Sequence, residues 1–161
     1  MTTYAGRLDG SNRRVAIVAA KFNSIVTGKL VEGANAALAK HGLTDDDVDL
    51  AWVPGAFEIP VVAARLARSG RYGAVICLGA VIRGDTSHFE LVAGEAARGI
   101  AQVALETGVP VIFEVLATEN LAQAESRAGG EHGNKGWEAA EAALETASLI
   151  DQLPGGAPSA R

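Results

Sequence analysis

YGAVICLGAVIRGDTSHFE, from Tyr72 to Glu90, changes character halfway along. Its first part, Ala74 to Val81, is an unbroken apolar run rich in branched residues, as expected of a strand buried on both faces of a parallel sheet. A polar corner follows, Arg83-Gly84-Asp85-Thr86-Ser87-His88, and beyond it Leu91, Val92, Ala96, Ile100 and Val103 recur at helical spacing. Thr86 or Ser87 is placed to cap that helix. Free backbone N–H groups and the positive end of the helix dipole then face the carboxyl edge of the strand. An anion is stabilised there, and open α/β sheets bind their ligands at that edge. The corner is therefore the leading site candidate, although the same residues also serve as plain caps with His88 idle in the first turn.

At 161 residues the chain fits one domain, 1–161, able to bury roughly two thirds of its unfolded surface. Residues 1–12 and 154–161 are expected to be loose ends. Cys77 is the single cysteine and lies inside the apolar run, so it reads as a small buried hydrophobe and not as a nucleophile, zinc ligand or disulfide partner. This usage suits a reducing cytoplasm. The first residues lack the apolar core of a signal peptide, and polar residues interrupt every later apolar run before membrane-spanning length, so a soluble protein is expected. A net charge of −5 argues against a nucleic-acid surface but leaves room for a local basic pocket for one phosphate.

Upstream, Arg14 to Ala20 reads as a first buried strand ending at Lys21-Phe22-Asn23. Phe22 serves either as a staple against the next helix or as a flat face on which a heteroaromatic ring stacks. Ser24 is expected to cap a helix carrying Val26, Leu30, Ala34, Ala37 and Leu38, which closes at His41-Gly42, with His41 a solvated terminal residue. Asp45-Asp46-Asp47 has the look of a metal cluster, but three adjacent carboxylates cannot all face one ion, so a solvated turn is expected. A second strand, Val48 to Val53, ends at Pro54-Gly55. Ala56-Phe57-Glu58-Ile59-Pro60 then starts a helix, where Glu58 either serves the dipole or accepts hydrogen bonds from a polyol. Downstream, Val111 to Leu116 reads as a fourth strand and Thr118 as the cap of a further helix. Gly129 to Gly136 reads as a glycine-rich break without the spacing of a phosphate-cradling loop, and Trp137 as the opening of an alanine-rich helix.

Four strands alternating with helices predict a three-layer α/β/α sandwich around a four-stranded parallel sheet, flavodoxin-like, with no second domain. A response-regulator receiver is disfavoured, because Ala20-Lys21-Phe22-Asn23 and Ala80-Val81-Ile82 stand where its acidic pocket and phosphorylated aspartate belong. A flavin carrier and a mainly structural shell protein remain as rivals.

Several motifs together resemble one family, the lumazine synthases. They are Phe22-Asn23, VPGAFEIP at Val53 to Pro60, GAVIRGDTSHFE at Gly79 to Glu90, TEN at Thr118 to Asn120, RAG at Arg127 to Gly129 and GNKG at Gly133 to Gly136. They run across most of the chain in the family's order. The resemblance implies condensation of 5-amino-6-(D-ribitylamino)uracil with L-3,4-dihydroxy-2-butanone 4-phosphate to 6,7-dimethyl-8-ribityllumazine, phosphate and water, the penultimate step of riboflavin biosynthesis. It implies no cofactor and no metal.

It further implies that Phe22 stacks on the pyrimidine, with Asn23 beside it in the ribitylaminouracil site. Ala56, Phe57 and Glu58 would hold the ribityl chain, and Ala80, Val81 and Ile82 would line the ring pocket. Asp85 and Thr86 would hold the phosphate with Arg127, and His88 would transfer protons. Phe113, Arg127 and Lys135 would arrive from an adjacent subunit. Lys21 stands where the family often has arginine, and Glu114 where glycine is frequent. Family members form pentamers, and the compact Gly129 to Asn134 break resembles that of members assembling 60-subunit shells, so a homo-oligomer of that kind is expected. Riboflavin synthase is a candidate partner, and neither nucleic acid nor membrane is one.

Overall fold

The computed structural model describes residues 1–155, and the expected strands and helices follow in the expected order. Strand β1 (Val15–Ala20) leads to helix α1 (Ser24–Lys40), β2 (Val48–Val53) to α2 (Ile59–Ala67), β3 (Ala74–Ile82) to α3 (His88–Thr107), and β4 (Val111–Thr118) to α4 (Leu121–Arg127). A ribbon of β5 (Ala128–Gly130) and β6 (Gly133–Asn134) precedes α5 (Lys135–Ile150). The four long strands form one parallel sheet in the order β2-β1-β3-β4. This is the flavodoxin-like doubly wound order without its fifth strand.

Alternation along β1 builds both layers. Val15, Ile17 and Ala19 join the core made with α1 and α5, while Ala16, Val18 and Ala20 join the core made with α2 and α3. A strand whose side chains are apolar on both faces satisfies both only when helices cover each side. In α3 the deeply buried stripe is Ala96, Ile100 and Val103; Leu91, expected on it, is 63% exposed, and Val92 is half-buried. The helix has passed beyond the sheet edge at that point. No helix among the described residues is long and apolar enough to cross a membrane.

Small residues set the layer spacing. A Cβ built on Gly136 would lie 1.9 Å from the Leu30 carbonyl oxygen, so α5 meets the α1 backbone directly. Gly42, just past α1, has φ +100°, a left-handed conformation that glycine adopts without strain.

Four local expectations change. Asn23, not Ser24, is the N-cap of α1; it is left-handed (φ 58°) and makes no side-chain capping bond. Asn120, not Thr118, caps α4, its Oδ1 accepting from the Gln123 N–H at 2.9 Å; Thr118 is the last residue of β4 and buried. An asparagine can fold its short amide back onto the first turn, whereas Thr118 is still held in the ladder. The glycine-rich break is a two-stranded antiparallel ribbon, after which Asn134 caps α5, upstream of the expected opening at Trp137. His41 is not solvated: Nε2 lies 2.9 Å from Glu141 Oε1, tying the end of α1 to α5.

The Asp45–Asp47 segment is a single 3-10 turn in which Asp47 accepts from the Thr44 N–H and hydroxyl. Residues 1–12 form no helix or strand, yet Gln152 Nε2 donates to the Ala5 carbonyl at 2.7 Å, Arg7 N–H to Ser148 Oγ, and Gly10 N–H to the His41 carbonyl at 2.9 Å. Of the second expected loose end, 156–161 lies outside the described residues.

Replacing Gly136 with alanine puts a methyl group into backbone that cannot swing aside. The expected loss of stability is at or above the top of the roughly 1–3 kcal/mol typical of overpacking, read as a lowered denaturation midpoint in urea.

Candidate active site

The carboxyl ends of β1 and β3 are where successive crossovers leave the sheet in opposite directions, the topological switch point of such folds. A cleft of about 820 Å³ opens there. Its floor is Ala80, Val81 and Ile82, the last three residues of β3. One wall is Pro54 to Glu58, following β2, and the other is Gly84, Thr86, His88, Phe89, Leu91 and Val92 from the β3–α3 corner and the first turns of α3. Phe22 stands at the end of β1 with 72% of its surface exposed, too open for a core staple. Its N–H donates to the Pro54 carbonyl at 3.1 Å, so the backbone beneath the ring is fixed while the ring faces the cleft.

The polar groups are few. Gly55 N–H donates to Glu58 Oε2 at 2.9 Å, which fixes the carboxylate at the cleft wall and leaves Oε1 for a ligand. Ser87 begins α3 without a side-chain capping bond, and the His88 N–H makes only a 3.3 Å contact with Thr86 Oγ1. The start of α3 thus keeps donor capacity for an anion. The His88 imidazole lines the cleft, and no side chain among the described residues bonds it.

Of the residues expected in the site, Phe22, Ala56, Phe57, Glu58, Ala80, Val81, Ile82, Thr86 and His88 come together in this one cleft. Asn23 does not line it: Nδ2 donates to the Ala80 carbonyl at 2.8 Å, bracing the floor from behind. Asp85 is exposed beside Thr86 and outside the lining.

Phe113, Arg127 and Lys135 lie elsewhere. Phe113 is 42% exposed on the edge strand β4. Arg127 ends α4 and donates to the Gln123 carbonyl at 2.9 Å, and Lys135 begins α5 and pairs with Glu138 at 2.5 Å. That ion pair, chiefly through its hydrogen bond, holds the Lys135 ammonium above its usual range. Among the described residues, no lysine or arginine lines the cleft. Sequence reasoning missed Pro54, Gly55, Gly84, Phe89, Leu91 and Val92 as lining residues. Exposure of Leu91 was hidden because an apolar residue at helical spacing reads as core.

The fold is a doubly wound α/β one, and the mostly apolar cleft at its switch point is lined by the start of α3, the His88 imidazole included. Residues 12–151 match the 6,7-dimethyl-8-ribityllumazine synthase family, and the chain belongs to that family. Its activity is accordingly that of a transferase in riboflavin biosynthesis: it condenses 5-amino-6-(D-ribitylamino)uracil with L-3,4-dihydroxy-2-butanone 4-phosphate to give 6,7-dimethyl-8-ribityllumazine. The receiver, flavin-carrier and purely structural readings fall away.

Glu114 is half-buried on β4, and burial raises its carboxyl above the usual carboxylate range, with Lys135 acting against that and Glu138 adding to it. A carboxyl raised on folding binds its proton more tightly in the native state, so its contribution to stability is full at acid pH and is lost as pH rises through its native value. Glu114→Gln is therefore expected to raise the unfolding temperature at pH 7, with the gain shrinking toward about pH 4, as thermal melts at the two pH values will read.

Proposed function

We propose that the cleft performs this condensation with Phe22 stacked on the pyrimidine of the ribitylaminouracil and Ala80, Val81 and Ile82 packed around its ring. Ala56, Phe57 and Glu58 hold the ribityl chain, the Glu58 carboxylate taking hydroxyl hydrogen bonds while Gly55 keeps it in place. The phosphate of the second substrate sits at the start of α3, with Asp85 and Thr86 beside it. The amine of the uracil then lies against the ketone, and juxtaposition alone lowers the barrier to their joining.

Attack gives a carbinolamine, loss of water an imine, and elimination of phosphate an enol that tautomerises to a ketone; the ribitylamino nitrogen attacks that ketone, and loss of a second water closes the second ring. Each step relocates a proton, and an imidazole, with an ordinary pKa of about 6.5, both accepts and donates near neutrality. His88 fills that role from the cleft wall. Nothing is oxidised or reduced overall, so the sequence of steps calls for no redox cofactor.

The observation that carries the assembly reading is the missing cation. A departing phosphate dianion needs fixed positive charge, and the cleft of one chain offers backbone N–H groups, the Thr86 hydroxyl and the His88 imidazole but no lysine or arginine among the described residues. Arg127, with Phe113 and Lys135, is supplied by the adjacent subunit of a pentamer, and twelve pentamers assemble into a 60-subunit shell. The compact β5–β6 ribbon, whose strands are joined by Glu131 and His132 alone, supports the shell over a free pentamer. Such an enzyme works in the cytoplasm, where riboflavin synthase consumes its product.

His88→Ala is expected to slow turnover without abolishing it, since juxtaposition survives; complete loss with intact substrate binding contradicts the assignment. Arg127→Ala is expected to raise KM for the phosphate substrate and leave that for the uracil alone. Co-assembly of His88→Ala with Arg127→Ala subunits restores some sites carrying both native side chains, so activity above either parent supports a shared site, and purely averaged activity refutes it.

A further inference from the structure

An arginine next to a phosphate-binding corner is read first as a phosphate ligand. In Arg83, the first residue of the corner after β3, two of the five N–H groups and one face of the guanidinium are held by neighbouring side chains. Its Nε donates to Glu119 Oε2 at 2.8 Å, its Nη1 donates to Glu90 Oε1, and its guanidinium lies over the Phe89 ring at 4.3 Å from the centroid. Its backbone N–H donates to the Thr118 carbonyl at 2.9 Å. Arg83 does not line the cleft.

The two carboxylates come from opposite sides of the corner. Glu90 is the third residue of α3, so its bond holds the helix start whose N–H groups face the anion. Glu119 follows β4, and its own N–H donates to Gln123 Oε1 of α4 at 2.9 Å. One planar group therefore spans three pieces of chain: the β3–α3 corner, the first turn of α3 and the β4–α4 turn. Exposed pairs taken singly contribute little to stability. A guanidinium held by two carboxylates and a ring face instead restricts orientation, which an ammonium with its point charge cannot do. The hydrogen bond from Arg83 also holds Glu90 below the usual carboxylate range, so the contact stays charged through neutral pH.

We propose that Arg83, through Glu119 and Glu90, is a positioning residue that fixes the phosphate corner, and that it is not itself a phosphate ligand. The proposal rests on the reading of the Asp85-Thr86 corner as the phosphate seat. Prior fixing of the corner spares its ordering when substrate arrives, so the effect falls on binding of the phosphate substrate.

The test is steady-state kinetics on the assembled protein with each substrate varied in turn, comparing Glu119→Gln, Arg83→Lys, their double variant and Thr86→Val. Glu119 is exposed, so its amide variant is expected to fold normally. Glu119→Gln and Arg83→Lys are each expected to raise KM for the phosphate substrate about three- to tenfold, with kcat and KM for the uracil within about twofold. The double variant is expected to add little to Arg83→Lys alone, as two ends of one contact do. A raised KM in Arg83→Lys with an unchanged or lowered one in Glu119→Gln makes Arg83 a direct ligand and overturns the proposal. Should Thr86→Val raise KM while Glu119→Gln does not, positioning fails and the phosphate seat stands. If Thr86→Val leaves KM unchanged, the seat fails and the positioning role fails with it.

Discussion

Burial of β1 on both faces, with pairing on both edges, is the constraint on which this structure depends. All six of its side chains are at most 1% exposed, and its backbone is laddered to β2 on one side and β3 on the other. With parallel partners on both edges, the chain leaves its carboxyl end only by climbing over one layer or the other. The connections beyond β1 and β3 diverge at that edge, and the gap between them is the cleft. Asn23 shows how tightly the exit is specified: left-handed, it turns the backbone sharply into α1 and spends its amide on the carboxyl end of β3. Phe22 is thereby presented outward from the most deeply buried strand among the described residues.

Electrostatics divides the work differently from packing. The cleft is apolar and, among the described residues, contains no lysine or arginine, so the proposed phosphate seat there relies on oriented N–H groups at the start of α3. Arg83 is held by two carboxylates, Arg127 donates to the Gln123 carbonyl, and Lys135 pairs with Glu138. An apolar slot suits a flat heterocycle, but a leaving phosphate needs charge that one chain does not bring to it. This mismatch between ring site and phosphate site supports the proposal that Arg127 is supplied by an adjacent subunit.

Much of the cleft was legible beforehand, because a buried parallel strand announces itself as a continuous apolar run and its carboxyl edge follows from chain direction. Phe22, Thr86 and His88 stood at such edges in the sequence, and the motifs carrying the family resemblance lay around them. Leu91 and Val92 were not legible as cleft residues, since helical spacing reports which residues share a face and not where along the helix the facing sheet ends. His41 looked solvated for a related reason: its partner Glu141 is far along the chain, on a helix whose position depends on Gly136 meeting the Leu30 carbonyl.

By itself the sequence determined the order of elements, the parallel sheet and the edge at which the cleft opens. Hydrophobic periodicity and turn chemistry are local, and chain direction does the rest. Only the tertiary structure decided what each polar group was free to do. Asn23 turned to brace Ala80, Glu58 accepted from Gly55 at the cleft wall, and Arg83 was held between Glu90 and Glu119. Hydrogen-bond partners are chosen by distance and direction in space, and those depend on packing between elements that no local pattern encodes.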